Sequence, residues 1–287
     1  MITYTTINQF NKEFPDDDAC LEHIFNQRYG KNYECPRCHK TGFYRNRTRK
    51  CYSCAWCGYD LSPLAGTIFH KSSTNLKNWF FAIFLMSTSK NGVAAKEIQR
   101  QTGVTYKTAW RMQRQIRMLM RPDDSKLNGT IEIDDTYIGG KRPGKRGRGA
   151  SGKTPVLGIV EREGDVKADV VENMKKKTVM PIIEENVEEK STVYTDEFSS
   201  YGGMTKAGFE HDVVQHGIKE YVRGEVHTNT IEGFWSQLKR SLHGTYHSVS
   251  PKHLQLYVDE FAWRYNHRAF SASIFHLLLQ RVVVMPS

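Results

Sequence analysis

The sequence predicts a mixed α/β core preceded by two smaller modules, one built on paired cysteines and one helical. Three observations carry that reading. Two C-x2-C pairs, Cys35/Cys38 and Cys54/Cys57, stand near the start of the chain. A basic stretch with helical periodicity follows them. From Gly129 onward short β-rich runs alternate with helical ones, the pattern of an α/β core. The expected divisions are 1–70, 71–127 and 128–287.

With 287 residues, 39% of them hydrophobic, the chain is long enough for one sizeable core plus accessory modules. Lysine and arginine (41) outnumber aspartate and glutamate (31), and the formal charge of +10 suits a polyanionic partner, nucleic acid first. No apolar run approaches a membrane span, since "WFFAIFLM" is short, and the polar opening "MITYTTINQFNKEF" has neither the charged nor the apolar region of a signal peptide. A cytoplasmic protein with no membrane partner is expected.

Five of the six cysteines fall between Cys35 and Cys57, and in a reducing compartment such pairs point to metal rather than disulfides. The C-x2-C-x15-C-x2-C spacing is that of a zinc ribbon. Each turn aims two sulfurs at one point, Zn²⁺ takes four thiolates tetrahedrally, and Gly58 lets the backbone fold beneath the metal. Four thiolates leave no open position, so Cys35, Cys38, Cys54 and Cys57 are expected to hold one structural Zn²⁺. Cys51 is also spaced as a partner for Cys54, and it stays a weaker ligand candidate together with His39. Cys20 stands alone and reads as a small apolar residue.

An apolar helical stretch over 76–86 leads into "AAKEIQRQTGVTYKTAWRMQRQIRMLM". The spacing predicts a first helix over 94–101, a turn at Gly103, an N-cap at Thr105, and a second helix with Ala109, Met112 and Ile116 inward. Tyr106, Lys107, Arg111, Arg114 and Arg117 then face outward, and Lys107, Arg111 and Arg114 are the candidates to touch DNA if this is a helix-turn-helix. An ordinary helical hairpin with a solvated basic face has the same pattern. Residues 121–125 break the helix as a linker.

The core begins with strand patterns in "TIEIDDTYIGG", "TPVLGIVERE" and "VKADVVEN". A helix over about 178–187, a strand in "STVYTDEFSSY", a short strand in "EHDVVQH" and a helix in "HTNTIEGFWSQLK" follow. That order is the one expected of a ribonuclease-H-like mixed-sheet core. Between the first two strands, "KRPGKRGRGASGK" is too basic and glycine-rich for regular structure. It reads as a phosphate-binding loop with Lys141, Arg142, Lys145, Arg146 and Arg148, or as a merely solvated one.

Strand alternation puts Glu132 and Asp134 on one face and Ile131, Ile133 and Asp135 on the other. A carboxylate held near an apolar sheet needs a strong partner, and a divalent cation is a suitable one. Asp196 ends its strand at the carboxyl edge, where α/β sheets gather ligands and where a helix cap also commonly sits. Glu232 has two readings, capping-box partner of Asn229 or metal ligand. Helical spacing groups Asn229, Glu232, Ser236 and Lys239 on one side, with Ile231, Trp235, Leu238 and Leu242 on the other.

Asp134, Asp196, Glu232 at D-x35-E spacing and Lys239 resemble the D-D-E signature of insertion-sequence transposases. The words "IDDTYIGGK", "YTDEFSSY", "HTNTIEGFWSQLKR" and "RYNHR" are similar to the subgroup with an N-terminal zinc ribbon, and the resemblance runs from about Cys35 to Arg268. It implies a metal-dependent nuclease and strand transferase that holds two Mg²⁺ (or Mn²⁺) ions on Asp134, Asp196 and Glu232. Lys239 is then expected to hold a phosphate near the scissile bond. The partners implied are double-stranded DNA, as terminal inverted repeats and target, and further copies of the chain in a homodimer or higher oligomer. The setting implied is the bacterial cytoplasm, with nucleoid association when bound. Members of this group commonly show Asp-Glu where this chain has Asp134-Asp135, and their third acid varies, so Asn229 and His227 are further ligand candidates. Two other functions fit parts of the pattern: a nuclease or resolvase that cleaves without joining, and a non-catalytic DNA-binding regulator, against which the intact acids argue.

Overall fold

The computed structural model describes residues 5–139, 152–214, 226–269 and 273–284. They form two compact units, one running to Leu119 and including the segment beyond Ala269, the other spanning Met120–Ala269. No helix among the described residues is long and apolar enough to cross a membrane.

The first unit opens with α1 (Ile7–Glu13) and α2 (Asp17–Tyr29). Thr6 and Gln9 close a reciprocal capping box on α1, and Asp16 accepts from the Ala19 N–H to start α2. A small antiparallel sheet follows, β1 (Phe43–Asn46), β2 (Cys51–Cys54) and β3 (Asp60–Leu61). Then come α3 (Leu76–Thr88), α4 (Ala95–Thr102) and α5 (Tyr106–Leu119). The last described helix, α9 (Ile274–Val284), belongs to this unit, where Phe275 meets Phe10 and Phe14 edge-on at centroid distances of 5.7 and 5.8 Å.

Helix α4 ends where Gly103 takes the left-handed φ of +72°, and α5 begins with the Thr108 N–H donating to Thr105 Oγ1 at 3.3 Å. Ala109, Met112 and Ile116 are buried while Lys107, Arg111 and Arg114 are exposed, as the pattern requires. Arg117 departs from expectation: it is 2% exposed rather than outward-facing. At i+4 from Gln113, also buried, it continues the inward stripe of α5 instead of the basic face.

The second unit is a five-stranded mixed sheet. In chain order its strands are β4 (Thr130–Ile138), β5 (Thr154–Glu161), β6 (Val166–Val170), β7 (Thr192–Asp196) and β8 (Glu210–Val214); in space the order is β6-β5-β4-β7-β8. The first three form an antiparallel meander, and β7 and β8 join parallel beside β4. Helix α6 (Lys176–Asn186) covers one face, burying Val179 and Ile183 against Ile131, Ile133, Leu157, Ile159 and Val193. The other face takes α7 (Asn229–Ser241) and α8 (Pro251–Asn266), with Ile231, Trp235, Leu238 and Phe261 against Val156, Val160 and Val166. The basic residues Lys141, Arg142, Lys145, Arg146 and Arg148 lie outside the described residues.

Candidate active site

Parallel β4 and β7 fix the position of the acids. Ile133 pairs with Thr195 in the last register position of that ladder, so Asp134 and Asp196, one residue further, stand side by side at the carboxyl edge. Asp135 belongs to the α6 face of β4, where Tyr201 Oη donates to its Oδ1 at 3.4 Å. One oxygen from each of Asp134, Asp135 and Asp196 nevertheless lies within 4.8 Å of the others. Because β7 ends at Asp196, that edge of β4 is uncovered beyond Ile133 although β5 continues on the other edge, and carboxylates from both faces of β4 meet at the open side. Burial, reinforced by the charges of Asp135, Asp196 and Glu232, pushes Asp134 up to about 7. An all-oxygen donor set that is costly to ionise by itself fits a hard divalent cation such as Mg²⁺ or Mn²⁺.

The helix facing these strands is anchored in a way the sequence reading did not foresee. Its N-cap residue is Thr228, which makes no side-chain cap bond, and the capping box between Asn229 and Glu232 is not formed. Glu132 of β4, fully buried, takes the cap role across the sheet instead. Its Oε2 accepts from the Thr230 N–H at 2.8 Å and the Ile231 N–H at 3.1 Å, and its Oε1 from Thr230 Oγ1 and Arg162 Nε, both at 2.8 Å. Glu232 is thereby released from capping. It is exposed, accepts from Thr228 Oγ1 at 3.2 Å, and lies near enough to raise Asp134 electrostatically while standing outside the three-aspartate cluster. His227 Nδ1 is engaged elsewhere, 2.9 Å from Arg162 Nη2 and 3.2 Å from Glu132 Oε1, and Asn229 is exposed.

Two further contacts define the site. Trp235 Nε1 donates to Asp134 Oδ2 at 3.2 Å. Gly158 on β5 pairs with Asp134 and leaves the room for it: a Cβ at that position would lie 2.7 Å from Trp235 Cη2 and 2.8 Å from Ile231 Cδ1. A glycine inside the strand run "TPVLGIVERE" was the available signal for such a close approach. Lys239, two turns beyond Glu232, is half-buried. Burial lowers its pKa, and the nearby Asp134 carboxylate opposes that fall.

In the first unit the four expected thiols converge. Cys35 Sγ stands 3.6 Å from Cys57 Sγ, Cys38 Sγ is 3.6 Å from Cys54 Sγ, and all four sulfurs lie within 4.8 Å of one another. Sulfurs held about 2.3 Å from a tetrahedral centre stand about 3.8 Å apart, so the cluster fits one structural Zn²⁺. Gly58 turns the chain beneath it at φ +70°. Cys51 lies outside the cluster, buried in β2 opposite Asn46, and His39 serves as a left-handed turn residue at φ 58° with its N–H donating to the Cys35 carbonyl.

Comparison with known proteins gives the chain's family. Residues 126–266 match the model of the ISXO2-like transposase domain, and residues 15–60 match the transposase zinc-ribbon domain. An uncharacterized protein in transposable element ISH50 of Halobacterium salinarum is 29% identical over 276 residues, covering 88% of this chain and 92% of that one. An uncharacterized transposase-like protein of Haemophilus influenzae is 33% identical over 105 residues, 37% of this chain and 84% of that one. A solved simian T-cell lymphotropic virus intasome in complex with PP2A regulatory subunit B56 gamma overlaps with a TM-score of only 0.33 at 12% identity, covering 64% of this chain and 70% of that one. With its D-D-E-type sequence words, its mixed sheet and its four-cysteine cluster, the chain belongs to the ISXO2-like transposases that carry an N-terminal zinc ribbon.

Proposed function

We propose that this transposase cleaves the DNA ends of its element and joins the freed 3′-OH to target DNA by metal-dependent phosphoryl transfer. The observation that carries the reading is the meeting of Asp134 and Asp196 at the carboxyl edge of adjacent parallel strands, beneath the helix that bears Glu232 and Lys239. We assign the sheet, an antiparallel meander extended by two parallel strands, to the ribonuclease-H-like class.

Asp134 and Asp196, with Glu232 as third carboxylate, would hold two divalent cations, Mg²⁺ or Mn²⁺. When bound, such ions supply an activated attacking oxygen and charge stabilisation for the leaving 3′-oxygen. The chain's own residues do the rest. The buried flank of Asp134, made by Trp235 and Ile231 over Gly158, limits water at the cluster and keeps the carboxylate in place. Lys239 places a point charge beside Asp134, suited to hold a non-bridging phosphate oxygen near the scissile bond. Lys107, Arg111 and Arg114 on the exposed side of α5, with Lys141, Arg142, Lys145, Arg146 and Arg148, would grip the phosphates of the terminal repeats and target, and two or more copies of the chain would pair the ends. The setting would be the cytoplasm, on nucleoid DNA.

The test is incubation of the purified chain with linear duplexes carrying the element's ends, a target plasmid and Mg²⁺ or Mn²⁺. Cleavage with joined product supports the proposal. Cleavage without joining would make the protein a nuclease, and binding without cleavage a regulator.

A further inference from the structure

Glu132 is a fully buried and fully hydrogen-bonded carboxylate of the second unit, and nothing in the D-D-E pattern gives it a role. It is 0% exposed, and each oxygen accepts twice: Oε1 from Arg162 Nε and Thr230 Oγ1, Oε2 from the N–H groups of Thr230 and Ile231. An ionised carboxylate offers about four lone-pair sites. All are used, so Glu132 has nothing left for a cation although it lies on the same strand face as Asp134, two residues away. Arg162 balances its charge and is itself fixed. Its Nη2 donates to the His227 carbonyl at 3.1 Å, and its guanidinium lies 4.9 Å from the centroid of Tyr194, which pairs with Glu132 across β4 and β7.

The geometry points to Glu132 and Arg162 as a positioning pair that locks α7 to β4 in a single register, an inference that rests on the reaction proposed above. Two strand residues rise about 6.6 Å and four helix residues about 6 Å. Contact of Ile231 N–H with Glu132 and of Trp235 with Asp134 therefore pins the helix at two matched points along the strand. That attachment sets where Glu232 and Lys239 stand relative to the aspartates. The negative carboxylate at the helix N-terminus also suits the helix dipole, which strengthens the anchor. A slip of α7 moves every functional group it carries together, and a misplacement of about 1 Å can cost about a hundredfold in rate.

The experiment uses the full chain labelled with 5-fluorotryptophan, the Trp235 signal being assigned from Trp235→Phe. Wild type, Glu132→Gln, Glu132→Gln/Arg162→Gln and Thr230→Val are compared by ¹⁹F NMR with and without Mg²⁺, by Mn²⁺ titration, and by end cleavage. Glu132→Gln removes the carboxylate charge that Arg162 and the α7 N-terminus face, so the Trp235 resonance is expected to shift and lose its response to Mg²⁺. Mn²⁺ binding should persist while cleavage at saturating Mg²⁺ falls about a hundredfold. The double variant should recover about tenfold or more of that loss, because the guanidinium no longer faces a neutral amide in place of its carboxylate. Thr230→Val, which deletes one donor, should move the Trp235 signal in the same direction by less, and it serves if Glu132→Gln does not fold. Loss of Mn²⁺ binding in a folded Glu132→Gln protein that the double variant does not regain would make Glu132 a ligand and overturn the proposal. So would a wild-type Trp235 signal in Glu132→Gln or Thr230→Val, or a folded double variant no better than the single. If wild type cleaves no DNA but the variants still displace Trp235, the proposed reaction fails and the positioning pair stands.

Discussion

Trp235 on α7 donates its indole N–H to Asp134 on β4 at 3.2 Å, across the space left by the side chain that Gly158 lacks. The contact ties the helix to the strand at the residue most shifted within the acidic cluster. Gly158→Ala forces a methyl against Trp235 and Ile231, and overpacking of this kind costs about 1–3 kcal/mol. Urea unfolding should register that loss, and adding Trp235→Phe should relieve part of it by trimming the ring. Equal stabilities for wild type and Gly158→Ala would show that α7 does not press on this strand.

Metal removal separates the two sites. Cys35→Ser or a strong chelator should release one Zn²⁺ per chain and unfold the ribbon, whereas Cys51→Ser should retain full zinc because Cys51 lies outside the cluster. Elemental analysis of the purified variants checks this, and zinc loss from Cys51→Ser would reassign the fourth ligand.

The pH dependence of the metal-free protein follows from Asp134. Its carboxyl is raised from 3.8 to about 7, so between those values the folded state binds more protons than the unfolded chain. Stability from this group is therefore lost as pH rises through that window. Asp134→Asn should remove the slope and be more stable than wild type at pH 8 without metal. Mg²⁺ should raise the wild-type Tm more at pH 8 than at pH 5.5, and should do less for the variant. Parallel Tm–pH profiles for the two metal-free proteins would refute the raised Asp134 carboxyl.

Helix α5 carries arginines with opposite expected roles. Neutralising Lys107, Arg111 and Arg114 should leave Tm almost unchanged and reduce the slope of log K against log [salt] for end DNA by roughly 3, about 0.9 for each phosphate no longer neutralised. Arg117→Ala should instead lower Tm, because that side chain is buried. Fluorescence anisotropy at several salt concentrations and thermal unfolding separate the two, and an unchanged salt slope would make the exposed face a bystander.

Much of this was legible in the chain because local rules sufficed. C-x2-C spacing marks the four sulfurs, Gly103 and Thr105 mark the α4–α5 turn, and period-two alternation places Glu132 beside Asp134. What stayed hidden depends on partners distant in sequence. Glu132 reads as one more acid until Thr230 and Ile231 arrive from a helix nearly a hundred residues later, and the same contact dissolves the capping box expected of Asn229 and Glu232. Asp135 joins its neighbours only because β7 stops at Asp196, and strand alternation says nothing about where an adjacent strand ends. Residue type alone turns Arg117 outward, but packing places it on the inward stripe. Helix α9 follows the five-stranded unit in sequence yet shares the aromatic core of the first unit.

The most direct measurement is Mg²⁺-dependent end cleavage and strand transfer by Asp134→Asn, Asp196→Asn and Glu232→Gln beside wild type. Folding and DNA affinity are to be verified for each variant. All three should fold and bind DNA, and lose both activities by about 10³-fold or more, the scale expected when phosphoryl-transfer charge stabilisation is removed. Glutamine would serve a helix cap as well as glutamate does, so the third variant tests ligation alone. Wild-type cleavage by Asp134→Asn or Asp196→Asn, or undiminished cleavage in the presence of a chelator that strips divalent ions, would contradict a metal-dependent reaction centred on these carboxylates.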